Sequence, residues 1–161
     1  KYHKLFNDLN VLTPRELLAR QDIEFENYIY KIQIEARVFH EVIQNYIIPA
    51  AVAYQNKLIQ NVQGLISVLG DKAGKASSKS QVVLIEQISM HMNKTLELSS
   101  KMLDSRKKAN SLDGHEEKSI AYCDTVKIYF DEIRYHVDKL ELLIDDEEWR
   151  LPKFREMLFT R

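Results

Sequence analysis

Turn-forming residues are scarce in this sequence: four glycines and three prolines among 161 residues. That is too little punctuation for an all-β chain, whose strands are separated by Gly- and Pro-rich turns. A surplus of one charge sign is missing too. The 23 basic side chains face 24 acidic ones, for a formal net charge of −1. Phosphate neutralisation calls for a basic surplus or stripe, so no nucleic-acid partner is expected. Apolar runs are short; the longest, from Tyr46 to Tyr54, falls well below the roughly 18 residues of a membrane span. No membrane partner is expected, and the chain reads as soluble. The lone Cys123 leaves no internal disulfide and no sign of an oxidising compartment. Its spacing puts it on an apolar helical seam, where a free cysteine is expected to pack as a small inert hydrophobe. There is no basic start followed by an apolar run, as a signal peptide would show. The first residue is Lys1, which reads as the start of an excised fragment.

What is present points to helices. Hydrophobic residues make up 45% and charged residues 29%, the balance of a globular domain, and the length suffices for one core. Thr13-Pro14-Arg15-Glu16 is a helix start: a capping threonine, a proline at the first helical position and a glutamate to complete a capping box. From there Phe25, Ile29, Ile32, Ala36, Phe39, Ile43 and Tyr46 recur at spacings of three and four, which places them on one face. Pro49 removes a backbone bond and presses on the carbonyl of Asn45, so the spacing predicts a kink or a break there. A shifted seam, Ile59, Val62, Ile66 and Leu69, carries the helix on to a stop at Gly70. The prediction is one kinked helix over about residues 14–69, a loop over 71–80, and a second helix over about 80–108. The second helix has two adjacent seams, one through Val82, Ile85, Met92, Leu96 and Leu103, the other through Leu84, Ile88, Leu98 and Met102. Arg106, Lys107 and Lys108 complement the dipole at its end.

A third helix over about 114–144 has the most regular rhythm: Cys123, Val126, Phe130, Ile133, Val137, Leu140 and Ile144. Phe130 and Ile133 are expected at the centre of the bundle. A short final helix over about 153–159 carries Phe154, Met157, Leu158 and Phe159. The fold class is all-α: an antiparallel helical bundle with a long kinked first helix and a short C-terminal helix, residues 1–161 forming a single domain.

Chemistry is sparse. A helical bundle can hold a di-metal carboxylate centre through Glu-x-x-His pairs, but Arg37, Ile88, Leu112 and Ile133 stand three before His40, His91, His115 and His136; His3 is too near the terminus. Glu132 and His136, four apart, read as a surface pair. The acidic run Asp145-Asp146-Glu147-Glu148 reads as a solvated cluster, because successive helical residues point different ways. Phosphate-loop, nucleophile-elbow and Cys-x-x-Cys motifs are absent. No catalytic residue, cofactor-binding residue or metal ligand is assigned. Three features suggest contacts instead. Asn45 to Gln55 combines a proline with small residues, as close helix packing around a kink would require, and Arg134-Tyr135-His136 is polar beside an apolar seam. Trp149, with Leu151-Pro152 and the aromatic tail, is the best contact candidate near the C-terminus, and folding back onto its own bundle is the other reading. Lengths add another. Residues 14–69 would span roughly 80 Å against roughly 45 Å for each later helix, leaving the first turns bare. Leu18, Phe25, Ile29 and Ile32 make an apolar stripe there, an interface candidate.

Four segments, taken in order, resemble the C-terminal region of type III glutamine synthetases. These are Lys31 to Arg37, Ile47 to Ala51 continuing through Tyr54-Gln55-Asn56, Asp131 to His136, and the ending Trp149 to Phe159. The likeness runs from about Leu12 to the last residue. It implies an excised C-terminal domain of a larger, cytoplasmic, ring-shaped oligomeric ligase that joins ammonia to glutamate with ATP and Mg or Mn. The family's metal and nucleotide ligands would precede Lys1, so none is carried onto a position here. Expected partners are the catalytic domain of the same chain and neighbouring subunits, which would cover the apolar stripe. A free-standing helical interaction module is the other reading that the residues allow.

Overall fold

The structure is a computed structural model that describes Phe6, Leu9 and residues 11–158, the side chain of Phe154 excepted. Helices account for the fold, with no strand among the described residues. Helix α1 (Pro14–Val42) passes through a π-helical turn (Ile43–Ile47) into α2 (Ile48–Leu69). A two-turn helix α3 (Asp71–Ser77) reverses the chain into α4 (Lys79–Asn110). Then α5 (His115–Ala121), a second π turn (Tyr122–Val126) and α6 (Ile128–Leu143) run back, and α7 (Phe154–Met157) closes the described chain. Successive long rods are antiparallel; α4 packs on α2 and α1 and along α6, and α1 also packs directly on α5 and the second π turn. The core follows these contacts: Ile29, Ile32, Ala36 and Ile43 from the first rod, Ile88, Leu98 and Met102 from α4, and Tyr122, Val126, Ile133 and Leu140 from the third rod are all buried.

The capping box forms as its sequence dictates. The Glu16 amide donates to Thr13 Oγ1 (3.3 Å), and the Thr13 amide donates to Glu16 Oε2 (2.8 Å). Those bonds to Thr13 hold the Glu16 carboxyl below its usual range. Pro49 does not break the first rod. The Ile48 amide bonds the Ile43 carbonyl five residues back, and this wide turn lies just ahead of the proline, giving room to the carbonyl its ring would press on. One extra residue in the turn moves the seam. The position expected to follow Ile43 was Tyr46, which is 45% exposed; Ile47, at 2%, is buried in its place. Beyond it the small side chains of Ala50 and Ala51 are buried, and Gln55 reaches α4 through Ser89 Oγ (2.6 Å) and the Ile85 carbonyl (3.1 Å).

The same physics corrects the third rod. The Lys127 amide bonds the Tyr122 carbonyl (3.0 Å), so the seam residue before Val126 is Tyr122, four back, rather than Cys123, three back. Tyr122 is fully buried, with its hydroxyl donating to Asn110 Oδ1 (2.7 Å). Cys123 is exposed. It hydrogen-bonds Tyr28 of α1, and that bond, followed by burial, pushes the Tyr28 phenol up to about 12. Ile133 is central as expected, whereas Phe130 is only half-buried.

The segment expected as a loop over 71–80 is largely helix. Gly70, at φ 80°, ends α2 and caps α3 in a left-handed conformation that other residues resist. Gly74 then packs on α2 so tightly that an added Cβ would stand 2.4 Å from the Ile66 Cα. Lys75 pairs with Asp71 one turn back (2.9 Å). A helix start and a backbone contact are written there in Gly, Asp and Ser, the residues that also spell a loop.

Candidate functional site

Helices α1 and α6 flank α4 without closing on each other, and the gap between them is an apolar groove of about 650 Å³. Ile34, Val38, Phe39 and Val42 form one wall, with Phe130 and Val137 on the other. Phe39 and Phe130 meet edge to face at the floor, ring centroids 6.0 Å apart. Ile34 is 61% and Val38 51% exposed. Glu35, Asp131 and Arg134 line the rim. Arg134 leans toward Asp138 (3.8 Å), while neither Glu35 nor Asp131 is in a salt bridge among the described residues. The groove is therefore an apolar slot bordered by two carboxylates outside any salt bridge among the described residues and by the Arg134 guanidinium, a shape suited to binding rather than to bond-making.

A polar cluster joins α4 to α6. His91 and His136 face each other through their Nδ1 atoms, 2.9 Å apart. One ring must donate and the other accept, so the contact holds with one shared proton and breaks when both nitrogens carry one. Tyr135 stands against both rings, and Lys139 lies over the Tyr135 ring at 5.5 Å. Burial, then the charges of His136 and Lys139, press the His91 imidazole below its ordinary range. His136 thus pairs across helices, not with Glu132 as its spacing suggested. Among the described residues no group of three or more His, Cys, Asp or Glu is placed to hold a metal ion. The divalent metal that the sequence resemblance implies does not fit them.

Sequence-marked contact residues are dispersed. Ile29 and Ile32 lie in the core, covered by the chain's own helices, and Phe25 is half-buried. Leu18 is exposed, as is Ile23 nearby; the turns before Phe25 are the bare part of α1. Trp149 is buried against the core cluster. The acidic run that looked solvated holds it there. Glu148 pairs with Lys57 of α2 (2.6 Å), and Asp146 pairs with Lys153 (2.6 Å) and with Arg155. Lys153 also donates to the Ile144 carbonyl (2.9 Å), at the negative end of α6. Of the aromatic tail, Met157 and Leu158 are exposed, and Phe159 lies outside the described residues. The sequence reading passed over the groove, although Tyr30, Ile34 and Val38 recur every fourth residue as a second apolar row on α1 and could have signalled it.

Comparison with known proteins finds relatives along nearly the whole chain. Residues 1–65 match the model of the glutamine synthetase C-terminal domain. The chain is similar to glutamine synthetase of Bacteroides fragilis, 39% identical over 94% of this chain and 21% of that protein. It is similar to the type-3 glutamine synthetase of Dictyostelium discoideum, 27% identical over 98% of this chain and 22% of the relative. A Butyrivibrio fibrisolvens glutamine synthetase is 31% identical over 97% of this chain and 22% of its own length. The chain is thus similar, over nearly its whole length, to one part of these glutamine synthetases, and its first 65 residues match their C-terminal domain. It spans about a fifth of the length of the curated relatives it matches. No helix among its described residues is long and apolar enough to cross a membrane.

Proposed function

We propose that this chain is an accessory domain of a type III glutamine synthetase, one that supports assembly and shape and performs no chemistry alone. The parent enzyme ligates ammonia to glutamate with ATP and Mg or Mn, in the cytoplasm, as a large oligomer. The domain's partners are the catalytic part of the same polypeptide and neighbouring subunits. The observation that carries this reading is the mismatch of coverage: nearly all of this chain aligns, but with only about a fifth of each relative. The apolar surface left bare on α1 supports it, since surfaces of that kind mark contacts. The test is to produce the full-length enzyme with and without this domain and measure solution mass by light scattering and glutamine formation. Loss of the oligomer on deletion is the expected result. An intact oligomer with unchanged activity would overturn the proposal.

A further inference from the structure

We infer that the groove between α1 and α6 holds an amphipathic, cation-bearing helix from the part of the glutamine synthetase polypeptide outside these 161 residues; this rests on the reading above. The form of the occupant follows from the walls. Both are helices whose backbones are bonded internally, and the described residues offer no strand edge to pair with. An extended segment laid on Ile34, Val38 and Val137 would leave its own amides and carbonyls unpaired against apolar side chains. A helix satisfies its backbone before it docks, and grooves of this kind accept one apolar helical face. The size agrees. From Ile34 to Val42 the α1 wall rises about 12 Å, roughly two helical turns, enough for anchors at i, i+3 or i+4, and i+7.

Charge sets the flank of the occupant. Glu35 and Asp131 border the slot without a salt-bridge partner among the described residues, and Arg134 already leans to Asp138. A lysine or arginine beside the apolar anchors would complete them. A second copy presenting the exposed apolar row on α6, Ile128, Tyr135 and Leu142, would bring Asp131, Glu132 and Asp138 to the slot but also Lys139, which lies over the Tyr135 ring, so the crosslinked peptide, and not charge, distinguishes that occupant. Coverage supplies the source. About four-fifths of the relatives' length lies outside this chain, and the α1 wall falls within the residues that match the family model.

The experiment places the photoreactive side chain p-benzoylphenylalanine at Val38 in the full-length enzyme, with a control at Val68, which is 83% exposed near the end of α2. Irradiation at position 38 is expected to give an adduct on a peptide outside these 161 residues, with helical apolar spacing and a flanking Lys or Arg. Position 68 is expected not to give that adduct. Ile34→Glu in the same enzyme should cut the adduct about tenfold or more, whereas Ile34→Leu should retain it. Adducts confined to this domain, in its own or a second copy, would overturn the inference; so would equal labelling from 38 and 68, or none from 38. If deletion of the domain dismantles the oligomer while position 38 stays unlabelled, the accessory role stands and the groove assignment fails. If deletion changes nothing, the accessory role itself fails.

Discussion

Two apolar rows run side by side along α1, and only one is covered. Ile29, Ile32 and Ala36 are buried against α4 and the third rod. Tyr30, Ile34 and Val38, a short rotation away on the same helix, are each more than half exposed. The two rows have the same kind of residue and the same helical spacing. What separates them is the partner: α4 and the first part of the third rod meet the first row, while α6 stands off from the second and leaves a slot. A bundle of three rods has too few faces to cover every apolar face of its longest member. The uncovered row is therefore left to solvent by this chain, and substitutions can test the distinction row by row.

The largest effect belongs to the covered side. Ile43→Ala and Ile133→Ala each empty a fully buried site and should cost about 2–5 kcal/mol by transfer and cavity terms. Phe130→Ala, half-buried at the groove floor, should cost about half of the ~3–5 kcal/mol of a fully buried phenylalanine. Urea unfolding of the chain measures both. If Phe130→Ala equals or exceeds Ile133→Ala, the groove floor is ordinary core and the contrast between the rows disappears.

Gly74→Ala comes next. Its new Cβ would meet the α2 backbone at Ile66, and backbone cannot rotate away as a side-chain tip can. A loss of about 1–3 kcal/mol is expected, as for overpacking, with hydrogen exchange rising first in α3. Unchanged exchange there would mean that α3 is not seated on α2.

The histidine pair should make stability fall on acidification. With the folded pKa of His91 pressed below its ordinary value, the unfolded chain binds more protons in the window below about 6.5, so stability rises with pH there. The contribution is full above that value and lost as pH falls through the folded pKa. Denaturant midpoints from about pH 7.5 to about pH 5 should decline, and His91→Leu, which does not titrate, should flatten the decline. An identical slope in the variant would show that other groups carry it.

Much of this fold is legible in spacing and caps. Thr13 and Glu16 announce the start of α1, Gly70 the end of α2, and the three-four rhythm finds Ile29, Ile32, Val126 and Ile133. The misplacements at Tyr46 and Cys123 share one cause. Each lies at a π turn, where an inserted residue shifts the face, and a period of 3.6 contains no sign of the insertion. The His91–His136 contact joins positions 45 apart, which no local pattern links. The groove was half legible. Its α1 row shows in the spacing of Tyr30, Ile34 and Val38, but its emptiness depends on how far α6 stands from α1, a property of packing.

The smallest expected effect on stability decides the most about the bare surface. Ile34→Glu and Leu18→Glu change residues that are 61% and 54% exposed, so each should leave the unfolding free energy of this chain within about ±0.5 kcal/mol. A glutamate at position 34 nevertheless puts a third carboxylate beside Glu35 and Asp131, and anything docked in the slot would have to desolvate it. In the full-length enzyme Ile34→Glu should therefore weaken assembly, read as loss of oligomer mass on dilution, with an unchanged melting midpoint for the domain. Leu18, outside the groove, separates local from general effects: its substitution should leave groove docking alone, whatever it does to contacts at the first turns of α1. If Ile34→Glu instead destabilises the isolated chain by kilocalories, the second row is covered from within, and both rows of α1 are core.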